Sequence, residues 1–327
     1  MKRIISIVCV MLMLLSLAAC GAKDDGKYTV GICQLVTHDA LDAATQGFKD
    51  ALIAQLGEDK VTFDEQNAAG DSNTCASIAN AFVAANVDLI MANATPALQA
   101  AQAATSEIPI LGTSVTEYGV AMGIEGFTGT VGGNVSGTSD LAPLDTQAEM
   151  MVDVLGLKSG DKVGLLYCSS ENNSKYQVDK VSEYLTAKGI VCTEYKFTDS
   201  NDLQTIAQNA ASNSDAIYVP TDNVVASNTE IIYNVCSPNN VPVFAGEQDT
   251  CRGCGFATLA ISYYNIGKKT GEMAAKILLG EADISTMAIE YDAAPVKKYN
   301  KAICEQLGID TAALEAKGYT MIEGTDN

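Results

Sequence analysis

Gln34, Thr95, Ser114 and Thr116 in the first half of the chain, and Ser169, Ser170, Glu171, Asn173, Thr221, Asp222, Asn223 and Glu247 in the second, each follow a short apolar run. Hydroxyls, amides and carboxylates in such places suit two kinds of chemistry. They can move protons on a substrate, or they can grip a ligand that leaves unchanged. Thr95-Pro96 adds a helix N-cap with proline at the first helical position, which would aim free backbone N–H groups at an anionic group.

The catalytic reading fares poorly. Gly137-Thr-Ser139-Asp-Leu141 lacks the last glycine of a G-x-S-x-G elbow, and a triad would have to use His38, the only histidine. His38 reads more simply as a polar residue that starts the first helix. The glycines from Gly126 to Gly137 make no dinucleotide turn, and Gly267-Lys268 lacks the earlier Walker glycine. Cys251-Arg-Gly-Cys254 can be a disulfide, half a zinc site or a redox motif; with no second pair or histidine cluster, a structural loop or local disulfide is expected. The chain is therefore expected to be a binding protein and not an enzyme, with no cofactor and no metal.

The elements that must carry these residues recur. Tyr28 to Cys33, Val61 to Glu65, Val87 to Met91 and Ile108 to Leu111 read as strands separated by helices, and Lys162 to Tyr167, Ile190 to Phe197, Ala216 to Val219 and Val241 to Phe244 repeat the series. Val87-Asp-Leu-Ile-Met-Ala reappears as Ser214-Asp-Ala-Ile-Tyr-Val, and Glu107-Ile-Pro-Ile-Leu-Gly as Asn240-Val-Pro-Val-Phe-Ala. Alternation of this kind predicts an α/β fold with two Rossmann-like parallel-sheet lobes. Ligands sit beyond the carboxyl ends of such strands, so the cleft between facing lobes is the expected site.

Lys2 and Arg3 precede an apolar run from Ile4 to Leu15 that closes on Leu-Ala-Ala-Cys20, the order of a signal peptide ending in a lipobox. Residues 1–19 are expected to be removed, Cys20 to be acylated, and 20–27 to form a tether. Loss of Lys2 and Arg3 moves the net charge from −20 to −22, which excludes nucleic acid as a partner and leaves the lipid as the membrane anchor. Of ten cysteines, Cys9 would leave with the signal and eight would remain beside Cys20, mostly as small buried hydrophobes.

Six segments carry a resemblance: Gln34 to Ala44, Ala94 to Gln99, Gly132 to Asp140, Ser169 to Ser174, Tyr218 to Asn223 and Tyr263 to Gly267. In that order they resemble the ABC-transporter substrate-binding lipoproteins of the tryptophan/tyrosine type, which have the type I periplasmic-binding-protein fold. The resemblance implies a three-segment hinge, with 28–138 and 263–288 in the N-terminal lobe and 139–262 and 289–327 in the C-terminal lobe. It adds Ser139, Asp140 and Ser262 to the candidate site, with Ser262 standing where an aspartate is expected before the paired tyrosines. It implies a monomer outside the cytoplasm that closes on a small ligand and serves an ABC permease and its ATPase. An aromatic amino acid is the expected ligand, with Tyr118, Tyr167 and Tyr218 as candidates to stack on its ring. A sensing receptor for a nucleoside or sugar is the alternative.

Overall fold

The computed structural model describes residues 26–292 and 294–323, so the expected signal peptide, Cys20 and nearly all of the tether lie outside it. The first lobe is built on β1 (Tyr28–Gln34), β2 (Val61–Asn67), β3 (Leu89–Asn93), β4 (Ile110–Val115) and β5 (Val135–Ser139), in the spatial order β2-β1-β3-β4-β5. The second is built on β6 (Lys162–Cys168), β7 (Val191–Phe197), β8 (Ala216–Val219), β9 (Val243–Ala245) and β10 (Ala257–Ala260), in the order β7-β6-β8-β9-β10. The two orders are the same, and every pairing within them is parallel. This doubly wound order opens a crevice at the strands' carboxyl ends.

The internal repeat extends to single hydrogen bonds. Asp88 Oδ2 accepts from Thr29 N at 2.6 Å, and its counterpart Asp215 Oδ2 accepts from Lys162 N at 2.8 Å. Ile90 N donates to Pro109 O and Ile217 N to Pro242 O, each at 2.9 Å. Period-two alternation divides each sheet between two apolar layers. Val163, Leu165 and Tyr167 enter one and Leu166 and Cys168 the other. Val30 and Ile32 likewise face away from Cys33.

Helices α1 (Asp39–Leu56), α2 (Ser72–Ala85), α3 (Thr95–Ala104) and α4 (Tyr118–Met122) belong to the first lobe. Helix α5 (Leu144–Leu155) opens the second, followed by α6 (Asn172–Ala187), α7 (Ser200–Asn213), α8 (Asn223–Ala226), α9 (Thr229–Cys236) and α10 (Gln248–Cys254). Cys251 and Cys254 thus lie on a helix and not in a loop. Both thiols are free and buried, donating to the carbonyls of Gly255 and Thr250.

The chain crosses between lobes from β5 to α5 and from β10 to α11 (Tyr263–Leu278). It crosses again from β11 (Glu290–Tyr291) to β12 (Val296–Tyr299), before α12 (Lys301–Gln306), α13 (Thr311–Ala316) and β13 (Thr320–Met321). Glu290 and Tyr291 pair with Thr138 and Ser139, so 290–291 extend the first sheet, one strand later than the division at 289 expected from the resemblance. Ser139 likewise ends a first-lobe strand. β12 runs antiparallel to β10. The crossings are joined to each other: Tyr263 Oη donates to Asp140 Oδ2 at 2.9 Å, and Ser262 N to Asp292 Oδ2 at 2.8 Å.

Helix α11 returns to the first lobe and packs on α1 so closely that only glycine fits. A Cβ on Gly267 would lie 2.0 Å from the Ala44 carbonyl oxygen, and one on Gly271 2.4 Å from that of Phe48. Backbone at that distance cannot move aside as a side chain can. Gly267→Ala is therefore expected to destabilise the protein by about 2 kcal/mol or more, whereas exposed Lys268→Ala should stay within about 0.5 kcal/mol. Urea unfolding of the two variants checks this.

Candidate functional site

A narrow cavity, with about 10 Å³ open to a water-sized sphere, lies between the two sets of strand ends. Leu41, Ser114, Thr116 and His38 line it from the first lobe, Asp140 and Tyr263 from the hinge, and Asn173, Thr221, Asp222, Asn223, Ala226 and Glu247 from the second.

Backbone geometry turns the first-lobe residues inward. The β4–β5 register shifts between Gly112 and Val115, a bulge that holds Ser114 at φ 53°. Among the described residues, three non-glycine residues with positive φ, Ala69, Ala94 and Ser114, lie at or just after the carboxyl ends of β2, β3 and β4, on the cleft side. The other two, Asn86 and Asn240, are ordinary helix C-caps. Strain at non-asparagine positions is thus confined to the cleft.

The acids on the second-lobe wall are heavily engaged. Asp222 caps α8, its Oδ1 accepting from Val224 N and Val225 N and its Oδ2 from Cys168 N (2.7 Å) and Ser174 Oγ (2.9 Å). Glu247 caps α10 through Asp249 N and Thr250 N. Glu171 Oε2 accepts from Asn173 Nδ2 and Asn223 Nδ2, both at 2.9 Å. Gln177 holds the Thr221 backbone at both its N–H and C=O.

Other groups on the cavity wall are not satisfied. Among the described residues, His38 Nδ1, Ser114 Oγ, Asp140 Oδ1 and Asn173 Oδ1 are buried and make no hydrogen bond. The Asn173 amide nitrogen faces Glu171 Oε2 and Thr221 O, which fixes its oxygen as the free acceptor. Unpaired buried polar atoms are rare, and four around one small cavity mark it as built for a polar ligand.

Several residues expected at the site lie elsewhere. Gln34 is locked within the first lobe by Asp42 and Thr45. Ala94, not Thr95, occupies the α3 N-cap; Thr95 is a buried first helical residue, and Pro96 lines a separate groove. Ser169 and Ser170 are exposed and donate to Phe197 O and Thr198 O. Glu171 borders the same outer groove as Pro96 and Ser170. Ser139 Oγ donates to Thr116 O. Ser262 caps α11 through Asn265 N and faces a groove on the hinge side, so the departure from aspartate leaves the cavity wall unchanged.

The three tyrosines expected to stack on a ligand ring are core residues. Tyr118 donates to Thr138 O, Tyr167 to Glu194 and Tyr218 to Gln147. Tyr263 is the aromatic on the cavity wall. His38, read from sequence only as a helix start, also lies there, its Nε2 3.3 Å from Asn223 Oδ1 across the cleft. The signal that marks it is its place one helical turn before Leu41.

Residues 29–314 match the family profile of the ABC transporter substrate binding protein. The chain belongs to this family. A tyrosine-binding protein of Clostridioides difficile (strain R20291) is 38% identical over 264 residues, covering 80% of this chain and 76% of that one. A Streptococcus pneumoniae ABC domain in complex with L-Trp is 28% identical, with a TM-score of 0.84 and coverage of 90% and 99%. A ligand-free, open substrate-binding protein with adhesive properties from Clostridium difficile is 36% identical at similar coverage (90% and 100%), yet superposes at only 0.68. The less identical ligand complex is the better match, in keeping with the apposed lobes of this substrate-binding protein. Family members bind substrates outside the cytoplasm, and no described helix is long and apolar enough to cross a membrane.

Burial sets the electrostatics of this substrate-binding protein's cavity. It pushes the Asp140 carboxyl above its ordinary range, with the Thr116 and Tyr263 hydroxyls pulling partly back. Burial and then the neighbouring Asp222 raise Glu171, while burial and then Asp249 raise Glu247 to about 7. Asp222 is raised by burial against the pull of its amide donors. Burial lowers His38, which keeps the ring neutral.

Each raised acid holds its proton more tightly folded than unfolded. Its contribution to stability is full below the ordinary value, 4.5 for Glu171, and is lost as pH rises through the higher folded value. The ligand-free protein is expected to lose stability between about pH 4.5 and pH 7. Glu171→Gln, which keeps the acceptor oxygen without the charge, should recover on the order of 2 kcal/mol at the upper end. Parallel stability curves for wild type and variant would contradict this.

Proposed function

We propose that this chain is the lipid-anchored solute receptor of an ABC importer, capturing an aromatic α-amino acid between its lobes and delivering it to a membrane permease and its ATPase. The observation that carries this reading is Asp140. Its carboxylate is buried at the hinge without a cation, Tyr263 Oη donates to its Oδ2, and its Oδ1 is unpaired. A ligand ammonium supplies the missing charge and donor, and Asn173 Oδ1 is a second acceptor for it. The free Ser114 hydroxyl suits the carboxylate.

Two further observations support the class of ligand. The named relatives are a tyrosine-binding protein and a complex with L-Trp. A sugar or nucleoside would bring hydroxyls but no cation to offset Asp140. Lining residues from both lobes can meet one ligand only when the cleft is shut, and His38–Asn223 and Arg252–Asp39 (3.5 Å) are contacts formed by closure. Acylated Cys20 would hold the receptor at the membrane face.

Titration calorimetry with tyrosine, tryptophan and phenylalanine is expected to give heat where a sugar and nucleoside panel gives none; the reverse pattern retires the amino-acid reading. Asp140→Asn should weaken amino-acid binding about 100-fold, because it leaves the ammonium unpaired in a dry site. Cys20→Ala should move the protein from the membrane to the soluble or unprocessed fraction, and unchanged attachment would refute the anchor.

A further inference from the structure

The hydrogen bonds around His38 determine which of its ring nitrogens carries hydrogen. Asn223 Nδ2 donates to Glu171 Oε2 at 2.9 Å, which turns Asn223 Oδ1 toward His38 as an acceptor. His38 Nε2, 3.3 Å away, must therefore be the donor. Since burial disfavours the charged ring, Nδ1 is left as a bare lone pair. That atom is buried, lies on a residue lining the cavity, and has no hydrogen-bond partner among the described residues.

Asp39, Asp42 and Asp249 lie near enough to act on the His38 ring, yet two of the residues that share the cavity wall with it are apolar. Leu41 follows it by three positions into α1, and Ala226 follows Asn223 by three in α8; residues so spaced share a face, and both line the cavity. The contact that joins the lobes here thus presents one unpaired acceptor beside two hydrocarbon groups. The ammonium acceptors, Asp140 and Asn173, come from other elements. This corner suits a ring that carries a hydrogen donor on its edge.

We propose that His38 is the residue by which the cavity selects an aromatic amino acid whose ring carries a donor, a phenol O–H or an indole N–H, over phenylalanine. The inference rests on the reading of the ligand as an aromatic amino acid and adds the discrimination within that class. Phenylalanine leaves Nδ1 buried without a partner, a loss equivalent to about 10- to 100-fold in affinity.

The test is calorimetry with tyrosine, tryptophan and phenylalanine on the wild type, His38→Phe and His38→Gln, after thermal melts establish that each variant folds. Wild type should prefer tyrosine or tryptophan to phenylalanine about 10- to 100-fold. His38→Phe also removes the bond to Asn223 and should weaken every ligand, so the ratio between ligands is the readout. It should fall to near one, and His38→Gln, which restores an acceptor, should recover part of it. Equal wild-type affinity for all three ligands, or a ratio unmoved in His38→Phe, overturns the role of His38 while leaving the amino-acid reading intact. Binding of none of the three overturns both.

Discussion

A carboxylate taken out of water needs something to replace its hydration, and Asp140, Glu171, Asp222 and Glu247 are all buried at one boundary between two sheets. The fold answers in two ways. Asp222 and Glu247 sit at helix starts, where unpaired amide hydrogens are available, and Glu171 is held by asparagine amides. Asp140 has no helix-start amides and no cation, only the hydroxyls of Thr116 and Tyr263 and its own backbone N–H. The difference divides acids that build the wall from the one that faces inward unmet. It also explains why both lobes direct strand ends and helix starts to the same place.

Holding those groups in position requires a stiff surround. The second crossing leads straight into α11, which is clamped to α1 through Gly47, Gly267 and Gly271. Beneath the hinge, Thr113, Thr138 and Thr270 form a chain of hydroxyl contacts at 3.2 and 2.8 Å. The strained residues Ala69, Ala94 and Ser114 are tolerated because ordered strands on either side leave their backbone no alternative. Rigid lobes with unmet polar atoms between them suit a protein whose work is to hold and release.

The architecture was legible in the sequence because it is written twice. Asp88 and Asp215 were visible as a repeated letter before they were visible as the same hydrogen bond. The site was legible only to the resolution of a strand end. Tyr167 and Tyr218 point into the second-lobe core because strand side chains alternate, and a displacement of one residue decides between cleft and interior. Ser169 and Ser170 lie on the exposed side of the same strand end from which Asn173 reaches the cavity. His38 was undervalued for a different reason: its partner Asn223 is 185 residues away, and no local pattern reports a contact made by the meeting of two lobes.

The joints between the crossings bear on closure, and so act on every ligand alike. Ser262 N and Asp292 Oδ2 tie the second crossing to the third, and neither residue lines the cavity. A hydrogen bond placed there acts on how readily the lobes part and leaves the contacts between ligand and wall as they are. Strength of closure and selectivity between ligands thus rest on different residues. A receptor arranged in this way can be slowed or hastened in release at one residue while the wall that recognises its cargo stays the same.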